Sequence, residues 1–458
     1  MAMLVLIGCS VPKENIQSIT QAPENYRDVQ KDTVSVATIP WKSYFPDAEL
    51  NGLIDQALAN NNDLKIALTN LESAQLTLSQ AKLGNVPTLD LGVSAGSTRL
   101  SDNSINGQNA SAALGTHHVD DYTVAASLSW EADIWGKIKS RKAAALAAYL
   151  QTDEARKAVQ TQVVSNVAKG YYNLLLLDTQ LDIAQRNVQL NDSTLNIIKL
   201  QYESGQVTSL AVQQAKALKL NVAKLVPFFE QEIAIQENAL SIIIGKTPDS
   251  ITRKITLGKL VATKDFSAGL PSSLLSLRPD VKFQEMALSK ANAEIGVARA
   301  NMYPSLVITA QGGLNAFEVS NWFNIPASLF GTVAGGLTQP IFRKKQLRTQ
   351  YELAKVGREQ AVIRFRQSVL VAVGEVSDAL VRIDKLEQQE SIASERAVTL
   401  KQATGNSNML FKNGLATYLE VITAQGNVLQ SELELAALKK SRLDAAVDLY
   451  RAAGGGWN

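Results

Sequence analysis

The sequence predicts a membrane α+β protein in which four strands of lipid-crossing length alternate with very long helices, the whole pattern being written twice. Three observations carry this. The first is an internal repeat: Asp63, Pro87 and Gly96 recur as Asp280, Pro304 and Gly313, each 217 residues later. The match resumes at an offset of 209, where Thr123-Val124-Ala125 answers Thr332-Val333-Ala334 and the stretch 201–208 answers 410–417. The missing eight residues lie in the first polar loop, 101–121. Two copies of about 200 residues are a duplicated unit and not a solenoid, whose repeats are far shorter. The second observation is period-two alternation in four segments, and the third is two proline-free runs long enough for exceptional helices.

The elements follow in order. Residues 1–46 hold a lipobox-like motif and an extended segment. Repeat 1, 47–245, opens with a helix over 47–82, then strands at about 88–98 and 121–132. Leu89, Leu91, Val93 and Ala95 share one face of the first strand. Tyr122, Val124, Ala126, Leu128 and Trp130 share one face of the second. A long helix from about 139 to 202, a hairpin tip at Gly205 and a returning helix complete the repeat. A linker spans 246–277. Repeat 2, 278–458, has the same order: helix 279–301, strands at about 304–315 and 328–340, long helix 345–412, a tip at Gly414 and a last helix. Leu306, Ile308, Ala310 and Leu314 alternate along its first strand; Leu329, Val333 and Leu337 do so more weakly along its second. At ~1.5 Å per residue each long helix would reach about 90–100 Å, so it must pack lengthwise against others. The 101–121 stretch reads as a polar loop, with His117-His118 as an exposed pair and not a metal site.

Composition narrows the function classes. The 458 residues carry 45 Lys+Arg against 43 Asp+Glu, without the basic excess of a nucleic-acid-binding protein. With 46% hydrophobic and 19% charged residues the chain is too polar for a bundle of membrane-spanning helices. It has no run of 18 apolar residues, so a crossing must be made by a closed β-barrel. Its two histidines, and the absence of a nucleotide loop, metal spacing or nucleophile elbow, give no catalytic constellation; neither an enzyme nor a cofactor is expected. Gly454-Gly455-Gly456 reads as a helix terminator. The single cysteine, Cys9, rules out an intrachain disulfide. It lies in Leu6-Ile7-Gly8-Cys9-Ser10, which is similar to a bacterial lipobox, although the apolar stretch before it is short and Met1-Ala2 adds no basic residue. A covalent lipid on Cys9 is the expectation; an incidental terminal cysteine is the alternative.

Four strands in lipid would leave two edges of unpaired N–H and C=O groups, so the chain must associate. Two copies would give an eight-stranded barrel filled by side chains, and three a twelve-stranded one with a lumen. Backbone accounting alone does not choose.

The motifs choose. Leu277-Arg278-Pro279-Asp280, the run from Ala298 through Tyr303-Pro304-Ser305, Ala57 through Asp63-Leu64, and Tyr450-Arg451-Ala452-Ala453-Gly454-Gly455-Gly456-Trp457 together resemble the TolC family of outer-membrane factors. With the lipobox they point to its lipoprotein branch, which resembles OprM. The resemblance covers essentially the whole chain. It implies a homotrimer with a twelve-stranded barrel in the bacterial outer membrane and a helical tunnel through the periplasm. It further implies a periplasmic adaptor and an inner-membrane transporter as partners, with no nucleic acid. The implied function is a passive exit duct for drugs or other small molecules. A protein-secretion outlet of the same architecture stays open, as does a non-conducting periplasmic scaffold.

The resemblance also assigns sites. The hairpin tips at Gly205, Thr208, Gly414 and Thr417 would dock the adaptor. The periplasmic gate would involve Phe411, Tyr418, Glu420 and Thr423. Glu420 falls on one of the family's two acidic positions, but Thr423 stands in place of the other acid, Phe411 in place of a tyrosine, and Ala416 in place of a basic residue. The first repeat has no acid there. The expectation is therefore a looser gate, closed by packing and one ring of Glu420 carboxylates that attracts cations. Trp130, Trp135, Tyr303 and Phe342 sit at strand ends, where an interfacial aromatic girdle belongs. Basic clusters follow each strand pair, at Lys137, Lys139, Arg141 and Lys142 and at Arg343, Lys344, Lys345 and Arg348; outer-membrane lipid phosphates would suit them.

Overall fold

A computed structural model of the protein describes residues 26, 35–260, 269 and 271–457; the expectation for Cys9 lies outside the described residues. The main elements are α1 (Ala48–Asn60), α2 (Asn62–Lys82), β1 (Thr88–Arg99), α3 (Ile105–Leu114), β2 (His118–Ala132), α4 (Lys137–Glu203), α5 (Ser209–Ala223) and α6 (Leu225–Ile243). They are followed by α7 (Pro279–Ala300), β3 (Ser305–Ala316), β4 (Leu329–Thr338), α8 (Gln346–Lys412) and α9 (Tyr418–Ala452). The duplication is visible in the boundaries. Helices α4 and α8 both have 67 residues, and β1 and β3 both have 12.

Several elements differ from the sequence expectation. The opening helix is interrupted at Asn61, whose backbone leaves the helical region (φ −57°, ψ 128°). Its side chain accepts from the Leu64 N–H at 3.0 Å and donates to the Ile243 carbonyl at 2.9 Å. The asparagine thus ends one helix and starts the next. The polar stretch 101–121 is not a plain loop. It contains α3, capped by the Ser104 hydroxyl on the Gly107 N–H at 3.0 Å, and β2 begins at His118. His117 instead places Nδ1 2.8 Å from Asp102. The helix after the first tip breaks between Ala223 and Leu225, whereas α9 runs unbroken. Pro227 is the physical difference, since it lacks an N–H and its ring crowds the carbonyl four residues back.

Among the described residues the chain forms two compact units. One takes 72–150 and 286–363 and holds the sheet. Its strands pair antiparallel in the order β1-β2-β3-β4, so the outer edges of β1 and β4 have no partner among the described residues. The register aligns the apolar residues of all four strands. Leu89 faces Leu128, which faces Ala310, which faces Val333; Val93, Val124, Leu314 and Leu329 form a second row. The opposite surface carries Asp90, Ser127, Gln311 and Thr332 in one row. Period-two alternation has thus produced one apolar and one polar sheet face. The apolar face is open in the single chain, with Leu91 75% and Val333 81% exposed.

The strand-to-helix junctions of this unit differ between repeats. In repeat 1, Gly136 takes φ +73°. Asp133 accepts from the Ile138 and Lys139 N–H groups, both at 2.9 Å, closing the N-terminus of α4. At the corresponding positions of repeat 2 stand Lys345, at φ +63°, and Phe342.

The other unit takes 35–71, 364–457 and the described residues of 151–285. Tyr44 stacks on Tyr450 at 4.2 Å, and Phe45 meets both rings edge-on. The two phenols donate to the Ala446 and Ile39 carbonyls at 2.8 and 2.7 Å. Here two of the motifs singled out in the sequence, residues 277–280 and 450–457, lock together. Arg278, with a side chain 4% exposed, pairs with Asp280 at 2.5 Å and Glu375 at 2.8 Å, and donates to the Ala452 carbonyl at 2.9 Å. The Trp457 indole N–H reaches the carbonyls of Leu277 and Gly454. Gly454 passes so close that a Cβ would lie 2.7 Å from the Leu277 backbone.

Candidate functional site

The hairpin tips are built by one device used twice. At the first, the Gly205 N–H donates to the Tyr202 carbonyl (2.9 Å) and the Gln206 N–H to Gln201 (2.8 Å). At the second, Gly414 donates to Phe411 (3.1 Å) and Leu415 to Leu410 (2.9 Å). This is the six-to-one plus five-to-two pattern that closes a helix through a left-handed residue. Gly205 and Gly414 have φ +76° and +70°. A Cβ at either would meet nothing within 4 Å, so backbone conformation alone demands glycine. Gly414→Ala is therefore expected to cost about 1 kcal/mol, the usual penalty for a left-handed alanine. Amide exchange at Leu415 should accelerate several-fold, and unchanged exchange would refute this account.

The two tips share one apolar core. Leu195 and Ile198 of α4, Ala211 and Ala215 of α5, Phe411 and Val421 are buried together, and Tyr418, Val207 and Ala416 pack on them. Phe411 thus anchors the hairpins to each other, 5% exposed. Glu420 folds back on its own helix: its carboxylate accepts from the Thr417 N–H at 2.6 Å and the Thr417 hydroxyl at 3.2 Å. The first tip has Thr208 as its cap residue and Ala211 where the second has Glu420, so it lacks this closure. Thr208, Thr417, Glu420 and Thr423 are all exposed. Leu210, Leu415 and Leu419 add open apolar surface at the tips.

Sequence reasoning missed a polar seam behind the tips. Asn187, Asn191 and Thr194 on α4 and Gln425 on α9 are buried, and the Gln425 amide donates to the Thr194 hydroxyl at 2.7 Å. Asn187 Oδ1 and Gln425 Oε1 find no partner among the described residues. Buried orphan acceptors subtract from packing stability. The legible signal was three polar residues at i, i+4 and i+7 along an otherwise apolar stripe.

In the sheet unit, Trp135 and Tyr303 stack at 4.8 Å, and the Trp135 indole donates to the Pro304 carbonyl at 2.7 Å. The Trp130 indole donates to the Asn85 carbonyl at 2.9 Å. Phe342 is 83% exposed. Of the basic residues, Lys137 is neutralised by Glu131 at 2.8 Å. No helix of the described residues is long and apolar enough to cross a membrane, and no group of metal-ligating side chains occurs among them.

This architecture has known relatives. The chain is 30% identical to the solvent efflux pump outer membrane protein SrpC of Pseudomonas putida, over 100% of this chain and 97% of that protein. It is 28% identical to the cation efflux system protein CusC of Escherichia coli O6:H1, over 99% and 97%. A crystal structure of CusC superposes with a TM-score of 0.82 at 27% identity, covering 95% of this chain and 100% of that one. Residues 53–246 and 270–455 match the outer membrane efflux protein family, and the chain belongs to that family.

Proposed function

We propose that three copies of this chain close their sheets into one twelve-stranded barrel in the outer membrane, and that their long helices line a periplasmic tunnel. The assembly is a passive exit duct for drugs or other small molecules. One observation carries the reading: a four-stranded sheet with an apolar face in register, a polar face behind it, and two unpaired edges. In lipid each unpaired backbone group costs several kcal/mol, and closure across copies removes every edge. The apolar face then meets lipid and the polar face lines the lumen.

An inner-membrane transporter supplies the energy, and a periplasmic adaptor docks at the tips, where Gly205, Thr208, Gly414 and Thr417 sit beside exposed leucines. Cys9 carries the lipid anchor. Solvent and cation efflux, named for SrpC and CusC, mark two cargo classes. The aperture lies at the tips, held by the core around Phe411 and Tyr418 and lined by Glu420 and Thr423. The orphaned seam at Gln425 lowers the cost of parting the hairpins.

The test is reconstitution. Purified protein should have the mass of three chains in detergent and conduct ions across a planar bilayer. Glu420→Ala should shift the reversal potential towards anions. A protein that stays monomeric, or never conducts, would overturn the duct; an unmoved reversal potential would remove Glu420 from the aperture.

A further inference from the structure

We propose that the strand-to-helix junction of repeat 2, from Ile341 to Lys345 with Arg348, is a docking surface for the phosphate of an anionic phospholipid in the periplasmic leaflet. The inference rests on the duct reading, which puts the strand ends at the membrane boundary. The surface has two parts in the right order. Ile341 and Phe342 are 89% and 83% exposed, bulky and apolar, next to the end of a strand whose apolar face is also open. Arg343, Lys344, Lys345 and Arg348 follow at once, all exposed. None of the four has an ion-pair partner among the described residues; the nearby Glu352 is taken by Lys355 at 3.3 Å. Apolar side chains at acyl depth beside cations at headgroup depth are the chemistry of an anionic-lipid contact.

Comparison with repeat 1 shows that the fold does not require cations at these positions, since Ile134, Trp135 and Gly136 stand where repeat 2 has Arg343, Lys344 and Lys345. There the junction is closed by its own carboxylates, Asp133 on the first amides of α4 and Glu131 on Lys137. Repeat 2 has Pro340 and Phe342 at those positions and no carboxylate. Repeat 1 meets the left-handed backbone with Gly136, whereas repeat 2 holds both Lys344 (φ +47°) and Lys345 (φ +63°) in that region. Side chains kept where glycine is the relaxed choice point to a role for those side chains. With no acid to answer them, the guanidinium and ammonium groups are free to donate to phosphate oxygens.

Native mass spectrometry of the detergent-purified full chain, mixed with phosphatidylglycerol or phosphatidylcholine, tests this. The wild type should retain phosphatidylglycerol several-fold over phosphatidylcholine, and excess inorganic phosphate should not strip it. Lys344→Gln with Lys345→Gln should abolish that preference. Lys344→Gly with Lys345→Gly should do the same while relaxing the backbone, which separates lost charge from lost fold. Removing two exposed cations elsewhere, Lys385→Gln with Lys401→Gln, should leave the preference intact. Equal retention of the two lipids, displacement by inorganic phosphate, or a preference that survives the glycine pair would each overturn the proposal. Conductance of the wild type in a bilayer is read separately, so a failed duct and a failed lipid surface give different results.

Discussion

Arg278→Ala is expected to destabilise the helical unit by about 3 kcal/mol, at the low end for removing one member of a buried ion pair. The guanidinium is nearly inaccessible and holds three groups at once: Asp280, Glu375 and the Ala452 carbonyl at the end of α9. Its loss leaves two carboxylates facing each other and a helix carbonyl without its donor. Both carboxylates keep some solvent, and Glu375 retains Arg451 at 3.7 Å, which is why the upper end of the range is not reached. Thermal unfolding followed by circular dichroism in detergent should show a lower midpoint. A midpoint within 1 °C of wild type would mean that this lock is ornamental.

The same site fixes a pH dependence. Burial disfavours the charge on Asp280, but the hydrogen bonds and charge of Arg278 outweigh it and hold the carboxyl below its usual value. A carboxyl depressed in the folded state contributes stability that is fully present above its unfolded value, about 3.9. That stability is lost as pH falls through the folded value. Wild type should therefore lose stability on acidification below about pH 4, and Arg278→Ala should lose less over that range.

How much of this was legible depends on the range of the interaction. The repeat, the four strands and both tips follow from local signals: alternation, proline spacing and a glycine at each turn. The break at Asn61 had a local signal, an asparagine that caps Leu64 three residues on, but its tie to the Ile243 carbonyl, 182 residues away, was not legible. The helix in 101–121 was missed because a polar, glycine-bearing stretch reads as loop until Ser104 is seen capping it. Arg278 and Trp457 were legible as motifs but not as partners, since only the fold brings residue 278 to the end of α9. Glu420 was placed by resemblance; that its carboxylate turns back onto Thr417 is geometry at three residues' range, and the Thr-x-x-Glu spacing was there to be read.

Gly245→Ala should cost roughly 2–4 kcal/mol, well above the same change at Gly414, although both glycines are left-handed and close a helix in the same way. Gly245 has φ +72°; its N–H donates to Ile242 at 3.0 Å, and the Lys246 N–H donates to Ser241 at 2.8 Å. The conformational penalty is therefore shared with the tips. What differs is space. A Cβ on Gly245 would lie 2.5 Å from the Asn60 carbonyl oxygen and 2.8 Å from its carbon, whereas a Cβ on Gly414 meets nothing. Asn60 is the last residue of α1, and its neighbour Asn61 ties this turn to Ile243. The oxygen is backbone inside that link, so it can retreat only by breaking the link. Melting midpoints of the two variants, measured side by side, isolate the steric part because the backbone part cancels. Equal losses would show that α1 yields freely and that the contact at Asn60 does not fix the turn.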